Sequence, residues 1–334
     1  MKRIFKKFIN VVIPFAEILY LPLLVISGLV MWLYRRTGSK RLKLSTKILR
    51  KIGVFPIRDH YYEPLFNDAR LSRDLKSPRE LPGIDLNEEG QLRFLQNLIY
   101  QNEFSNFVET EKSKLSLDSF KLGNGSFESG DAEFLYNIVR HIKPKRIIEV
   151  GCGTSTKIIQ HALKINEAER SYRAEHICVE PYEQPWLASF PNIKLVREKI
   201  EFLDLKLFEE LGSGDFLFID SSHMVRPQGD VLHEYLTIIP SLNKGVYVHV
   251  HDIFTPHDYL EHWIKENVLF WNEQYVLEAL LTGNKCLEVV AALNFLKHKH
   301  YSELHRVCPY LTPEREPGSF YFITKCQSSK YNEF

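Results

Sequence analysis

Two groups of residues in this 334-residue chain are of a type and spacing to do chemistry. The first is Glu149-Val150-Gly151-Cys152-Gly153-Thr154-Ser155-Thr156, which follows directly on an apolar run from Arg146. Glycines at 151 and 153 let a backbone approach a ligand closely, and a helix opening at Thr154 and Ser155 would aim its free amides at anionic groups. A dinucleotide fingerprint would want a third glycine at position 156, where this chain has Thr. The next apolar run, His176–Glu180, ends in a carboxylate. Glu180 there could accept hydrogen bonds from both hydroxyls of a ribose; its plainer reading is a solvated charge at a strand end.

The second group joins Asp220-Ser221-Ser222-His223 to His249-Val250-His251-Asp252. Carboxylates at two neighbouring strand ends, Asp220 and Asp252, offer hard oxygens that suit Mg²⁺ or another divalent ion, with His251 a further possible ligand. An imidazole at His223 that is neutral near pH 7 can take the proton of a hydroxyl; the alternative is a structural histidine hydrogen-bonded at the strand end. Asp230 would either orient His223 or cap a helix. His249 and His251 share one strand face, and packing is the plainer role for such residues.

These residues need a frame, and the patterning supplies one. Short apolar strands at 146–150, 176–180, 192–196, 215–220 and 245–250 alternate with helical patterns, at 131–142, 155–165 and around 231–239. That alternation predicts an α/β domain with a mainly parallel sheet, whose ligands bind beyond the carboxyl ends of the strands. PGSFYFIT (317–324) reads as a turn and a last strand. Upstream, Leu92, Phe94, Leu95, Leu98 and Ile99 predict one helix over 91–102. Tyr61, Tyr62 and Phe66 could pack on the body or cover a site. Trp263, Trp271 and Tyr275 either wall a pocket or belong to the core. The five cysteines form no C-x-x-C pair and are odd in number, so they read as reduced packing thiols in a cytoplasmic body.

IIEVGCGTST followed by ICVEP resembles motif I and the acidic second-strand motif of the class I S-adenosylmethionine-dependent methyltransferases. The resemblance continues through FLFIDSSH and GVYVHVHDIF and covers roughly residues 125–325. It is nearest to bacterial enzymes of the macrocin and cephalosporin-hydroxylase type. It implies a Rossmann-like, doubly wound, seven-stranded sheet, mostly parallel, with an antiparallel last strand. It further implies that Gly151 and Gly153 approach the methionine part of S-adenosylmethionine, with Glu149, Thr154 and Ser155 beside them. Glu180 would hold the ribose, and Asp131 would lie near the amino-acid end while capping its own helix. Acids at the places of Asp220 and Asp252 bind a divalent metal in the similar O-methyltransferases, and His223 stands where they place a base. The chain departs from that pattern at His251, where an acid is usual.

Net charge divides the chain. Residues 1–51 hold twelve Lys/Arg and one acid, Glu17, whereas the remainder holds 31 bases and 41 acids. An acidic body is not expected to bind nucleic acid. Composition, with 44% hydrophobic and 25% charged residues, excludes a disordered or collagen-like chain. Residues 8–34 carry only Glu17 as a charge, and as a helix would reach roughly 40 Å, enough to cross the ~30 Å core of a bilayer. Basic clusters flank both ends, and Trp32 and Tyr34 sit where an aromatic belt would be. The run is longer than the core of a cleaved signal, and no small-x-small site follows it. Pro14, Pro22 and Glu17 would also suit a kinked or interfacial helix pair, and a buried helix is the third reading.

The expected organisation is an anchor over 1–51, a linker and helical extension over 52–125, a methyltransferase domain over 126–326 and a tail over 327–334. The expected function is O-methylation of a hydroxyl on a small molecule, saccharide or lipid-linked acceptor, at the inner or cytoplasmic membrane, with oligomerisation allowed. A metal-dependent hydrolase using the H-x-H-D segment, or a non-catalytic membrane adaptor on the same fold, are the alternatives.

Overall fold

The computed structural model describes residues 2–38, 41–54, 56–57, 71–113, 119–170, 172–182, 184–267 and 269–327. It divides into two compact units, Met1–Ser72 and Arg73–Phe334. The Tyr61, Tyr62 and Phe66 cluster lies outside the described residues.

The first unit holds helix α1 (Lys2–Thr37) and helix α2 (Lys43–Ile52). α1 runs unbroken through Pro14 and Pro22, so residues 8–34 form one helix rather than a pair. Its stretch Ala16–Thr37 has a mean hydropathy of 2.0 and is long and apolar enough to cross a membrane. Leu19, Leu23, Ile26, Leu29 and Leu33 are all exposed, which removes the reading of a buried core helix.

The second unit begins with α3 (Glu88–Asn97) and α4 (Gln101–Ser113). Where one helix was expected over 91–102, the chain breaks at Leu98, which is extended. The side chain of Asn137 accepts a hydrogen bond from the Tyr100 backbone across that break. Leu95 and Leu98 are buried, but Ile99 is exposed, because the break turns it away from the core.

The α/β body is built from α5 (Asp131–Ile142), α6 (Thr154–Arg170) and seven strands: β1 (Arg146–Val150), β2 (Glu175–Val179), β3 (Lys194–Val196), β4 (Phe216–Ile219), β5 (Tyr247–Val250), β6 (Leu287–Ala292) and β7 (Phe320–Thr324). The sheet order is β3-β2-β1-β4-β5-β7-β6. β7 is antiparallel to both its neighbours, and β1 to β5 pair in parallel. This is the expected methyltransferase sheet with its antiparallel last strand. Both faces are covered, as a parallel sheet requires. Ile147, Phe216 and Phe218 face one core with Phe134 and Ile138, while Ile148, Leu217 and Ile219 face the other with Tyr235 and Ile238.

The cysteines correct the sequence reading. Cys152, Cys178 and Cys308 are free and buried, as expected of packing thiols. Cys286 and Cys326, however, form a disulfide that ties the start of β6 to the end of β7. Those positions are 40 residues apart and become neighbours only through the antiparallel pairing, which no spacing pattern announces. The cysteine content therefore no longer argues for a reducing compartment.

Candidate active site

Strand register assembles the site. Val150 pairs with Val179 on one side and Ile219 on the other, and Ile219 pairs with Val250. The residues one step beyond, Gly151, Glu180, Asp220 and His251, consequently line up across four strand ends. The order reverses between β1 and β4, and a crevice opens there. A cavity of about 410 Å³ is lined by Gly151, Glu180, Tyr182, Ile200, Asp220 and Ser221, among others.

The two glycines have different reasons. Gly151 has φ +77°, and a Cβ there would lie 1.8 Å from the Asp220 carbonyl oxygen, so the fold itself demands glycine. A Cβ at Gly153 would meet nothing within 4 Å; it would fill open space that a ligand can use. Glu180 accepts from the backbone amides of Cys152 (3.3 Å) and Tyr182 (2.9 Å), which fixes its carboxylate at the crevice.

Other residues of this group are placed differently. Glu149 is buried, accepting from the Ser155 hydroxyl (2.6 Å) and lying 2.9 Å from Nε2 of the buried His176. Glu149 and Ser155 thus brace the loop from beneath. Thr154 opens α6 with its hydroxyl 3.4 Å from that of Ser126. The expectation that Asp131 caps its helix is corrected: the Gly130 amide is taken by Glu133, three residues on, while Asp131 accepts from the amides of Gly318 and Ser319. Asp131 reaches instead toward the second cavity.

That second cavity, about 720 Å³, is lined by Ser126, Asp131, His251, Asp252, Tyr259 and Trp263, among others. Of the three aromatic residues singled out from the sequence, Trp263 is a cavity wall. Trp271 packs on His223 with ring centroids 4.3 Å apart, and Tyr275 lies under the Arg79 guanidinium.

Between Asp220 and Asp252 stands His223. Its Nε2 is 3.4 Å from a carboxylate oxygen of each, one lining the smaller cavity and one the larger. Ligand atoms of Asp220, His223 and Asp252 lie within 4.8 Å of one another, and His251 stands outside that trio. His251 is 3.5 Å from Asp252 and packs against Phe127. Both His223 (φ +58°) and Asp252 (φ +59°) hold left-handed backbone conformations, a strain on the order of 1–3 kcal/mol each that clusters at functional sites. His249 is fully buried, 3.0 Å from the Ser319 hydroxyl and stacked on Phe218, in the packing role its strand position suggested. Asp230 braces Ser222, accepting from its amide and hydroxyl, rather than orienting His223.

Sequence reasoning missed what holds His223. Its Nδ1 lies 2.8 Å from Glu273, which is buried and also accepts from the Tyr235 hydroxyl at 2.9 Å. The His223 carbonyl meanwhile accepts from the amides of Asn272 and Glu273 at the start of helix Glu273–Leu281. Tyr235 and Glu234 lie in a π turn over Glu234–Ile238, inside the helical stretch 230–241, and Glu234 accepts from Ser221. Such turns often mark functional sites. Glu273 is 50 positions from His223, so only the fold shows the pair.

Electrostatics follow from this crowding. Burial pushes the His223 pKa down, but hydrogen bonds to Asp220 and Glu273 and the Asp252 charge outweigh it, and the net shift is well upward. Burial raises Asp252 and Asp131. For Asp220 burial also acts upward, yet His251 and His223 reverse it, and the net shift is downward. Burial likewise opposes protonation of His251, but Asp252, Asp220 and Asp131 carry it upward.

Residues 148–253, from β1 to just past Asp252, match a family described as a methyltransferase domain. An uncharacterised protein of Archaeoglobus fulgidus is 30% identical over 173 residues, which span 48% of this chain and 76% of the archaeal one. Among solved structures, cmcI-N160 with SAH is 13% identical at a TM-score of 0.34, over 58% of this chain and 76% of that one. The 1,6-didemethyltoxoflavin-N1-methyltransferase of Burkholderia thailandensis is 11% identical at 0.32, over 76% and 95%. The chain belongs to the family of the archaeal protein and carries, over residues 148–253, a methyltransferase domain on the class I S-adenosylmethionine-dependent fold.

Proposed function

We propose that this methyltransferase acts on a hydroxyl oxygen, with His223 as the base and α1 as a membrane anchor. One observation carries the reading: a buried imidazole, fixed through Nδ1, holds Nε2 between Asp220, which lines the smaller cavity, and Asp252, which lines the larger. The smaller cavity fits S-adenosylmethionine in its donor set, with the Glu180 carboxylate and the Gly151 backbone on its wall. Glu180 would hold the ribose, and the backbone at Gly151 and Gly153 would face the methionine end. When bound, the cofactor supplies a sulfonium methyl group for in-line transfer to a nucleophile. The larger cavity then takes the acceptor. Tyr259 and Trp263 wall it together with Asp252 and His251. There His223 takes the hydroxyl proton at Nε2 while Glu273 holds the ring and stabilises the resulting imidazolium.

The trio of Asp220, Asp252 and His223 also fits a divalent cation by donor chemistry. Asp220 and Asp252 would hold it. It would lower the pKa of an acceptor hydroxyl and cancel the negative charge that keeps His223 protonated. The hydrolase reading loses its support, because His249 packs in the core and, among the described residues, belongs to no three-donor cluster.

A membrane position makes a lipid-linked saccharide, a glycolipid or another envelope molecule the natural acceptor class. The test is transfer of a labelled methyl group from S-adenosylmethionine into a membrane extract, with and without EDTA, followed by identification of the product. Label in a lipid-extractable hydroxyl-derived ether supports the proposal; label on nitrogen or carbon only, or none, opposes it.

A further inference from the structure

Helix α2 has three distinct sides. At about 100° per residue, Leu44, Ile48 and Ile52 form one stripe, and Lys43, Lys47, Arg50 and Lys51 occupy the arc that borders it, with Lys51 beside Leu44. On the third side the hydroxyl of Thr46 meets that of Tyr34 at 2.5 Å, and Tyr34 at the end of α1 is buried. A turn at Gly38 (φ +97°) separates the two helices, and Gly53 (φ +84°) closes α2 by donating to the carbonyls of Arg50 and Leu49. The sequence predicts here a basic end that meets membrane lipids and their anionic headgroups; the structure adds a helix with an apolar stripe.

The stripe is unpartnered. Leu44, Ile48 and Ile52 are 72%, 50% and 67% exposed, and no residue of α2 is buried. A ten-residue helix is marginal by itself in water, so the element gains stability from whatever receives its apolar side. Charge identifies the receiver. Residues 35–57 contain eight Lys/Arg and no Asp or Glu. The surface must be apolar below, anionic above, and present directly beside the end of α1.

We propose that α2 lies in the plane of a bilayer surface rich in anionic lipid, with Leu44, Ile48 and Ile52 at the acyl boundary and the four basic side chains among the headgroups. This rests on α1 being a membrane helix. It adds that the anchor reads lipid charge, and that the contact through Thr46 and Tyr34 sets how α2 leaves α1.

Hydrogen exchange tests it on the full chain in vesicles of phosphatidylcholine, with or without phosphatidylglycerol, read separately over 18–34 and 43–52. The expected result is amide exchange over 43–52 slowed about tenfold by the anionic lipid, with the slowing removed by high salt and by the triple change Leu44→Ser, Ile48→Ser and Ile52→Ser. Equal exchange in both lipids, or slowing that survives the triple change, overturns the proposal; equally slow exchange would mean a bilayer surface received without regard to charge, and equally fast exchange would point to a protein groove as the occupant. Slow exchange over 18–34 in both lipids would leave the anchor standing in that event. Fast exchange over 18–34 would remove the anchor reading and this proposal with it.

Discussion

The Nδ1 atom of His223 lies 2.8 Å from Oε2 of Glu273, and both side chains are buried. Because Nδ1 is committed to this carboxylate, Nε2 is the atom left to face Asp220 and Asp252. The orientation of this imidazole is thus set by a residue outside the matched methyltransferase segment, which joins Asp220 and Asp252 in raising its proton affinity.

His223→Asn should lower the methyl-transfer rate by roughly 10²–10⁴, the usual worth of a positioned base. Its affinity for S-adenosylhomocysteine should stay unchanged, since Nε2 lies between the cavities rather than on the ribose side. Calorimetry paired with a transfer assay checks both halves.

A base must be neutral to act, and the net shift of His223 is well above the ordinary imidazole value, with burial opposing and Asp220, Glu273 and Asp252 prevailing. Activity without added metal should therefore climb as pH rises past the ordinary histidine range. Glu273→Gln removes one upward influence, so the rising limb should move to lower pH while the plateau falls roughly ten- to a hundredfold. A lower plateau with an unmoved limb would mean that Glu273 only packs.

The two glycines should part company on substitution. Gly151→Ala forces a Cβ onto the Asp220 carbonyl in a left-handed backbone and should lower Tm as well as abolish cofactor binding. Gly153→Ala meets no protein atom within 4 Å, so it should melt as wild type yet bind S-adenosylhomocysteine weakly. Thermal melts and titrations of both variants read this directly.

If a divalent ion assists, Asp252→Asn and EDTA should cost activity to the same degree and not add together. Their combined effect would be measured in one assay, with cofactor affinity as the control. Additive losses would separate Asp252 from the ion.

His176 beneath the glycine loop gives a pH dependence of stability. Burial pushes its pKa down, but Cys178 and Glu149 prevail and carry it to about 10. A raised histidine contributes stability fully present below the unfolded value near 6.5, and that contribution fades as pH rises toward 10. Tm should fall over that window in the wild type. His176→Asn should show a lower Tm at neutral pH and a shallower slope, because Glu149 is left buried without its cation.

Much of the frame was legible because local rules govern it. β1, β2 and β4 were readable as apolar runs, and Glu180 and Asp220 as residues at strand ends that register alone lines up, with Asp252 one residue beyond that line. Other features depend on contacts remote in sequence. Glu273 meets His223 across 50 positions, and Cys286 meets Cys326 across 40. The break at Leu98 is bridged by the Asn137 side chain from another helix, which accepts from the Tyr100 amide. Asp131 sits at the head of its helix like a cap, but the amides of Gly318 and Ser319 claim its carboxylate. The amphipathic α2 was visible in principle at i, i+4 and i+8, yet its basic residues read first as the flank of α1.

In the proposed mechanism the crevice between β1 and β4 holds S-adenosylmethionine through Glu180. The most direct test is calorimetric titration of the full chain, in detergent, with S-adenosylmethionine and S-adenosylhomocysteine, alongside Glu180→Ala. The expected result is one site with Kd on the order of micromolar, weakened at least about tenfold in the variant by loss of charge-assisted hydrogen bonds. No binding by a folded wild-type chain, or equal binding by Glu180→Ala, would contradict it.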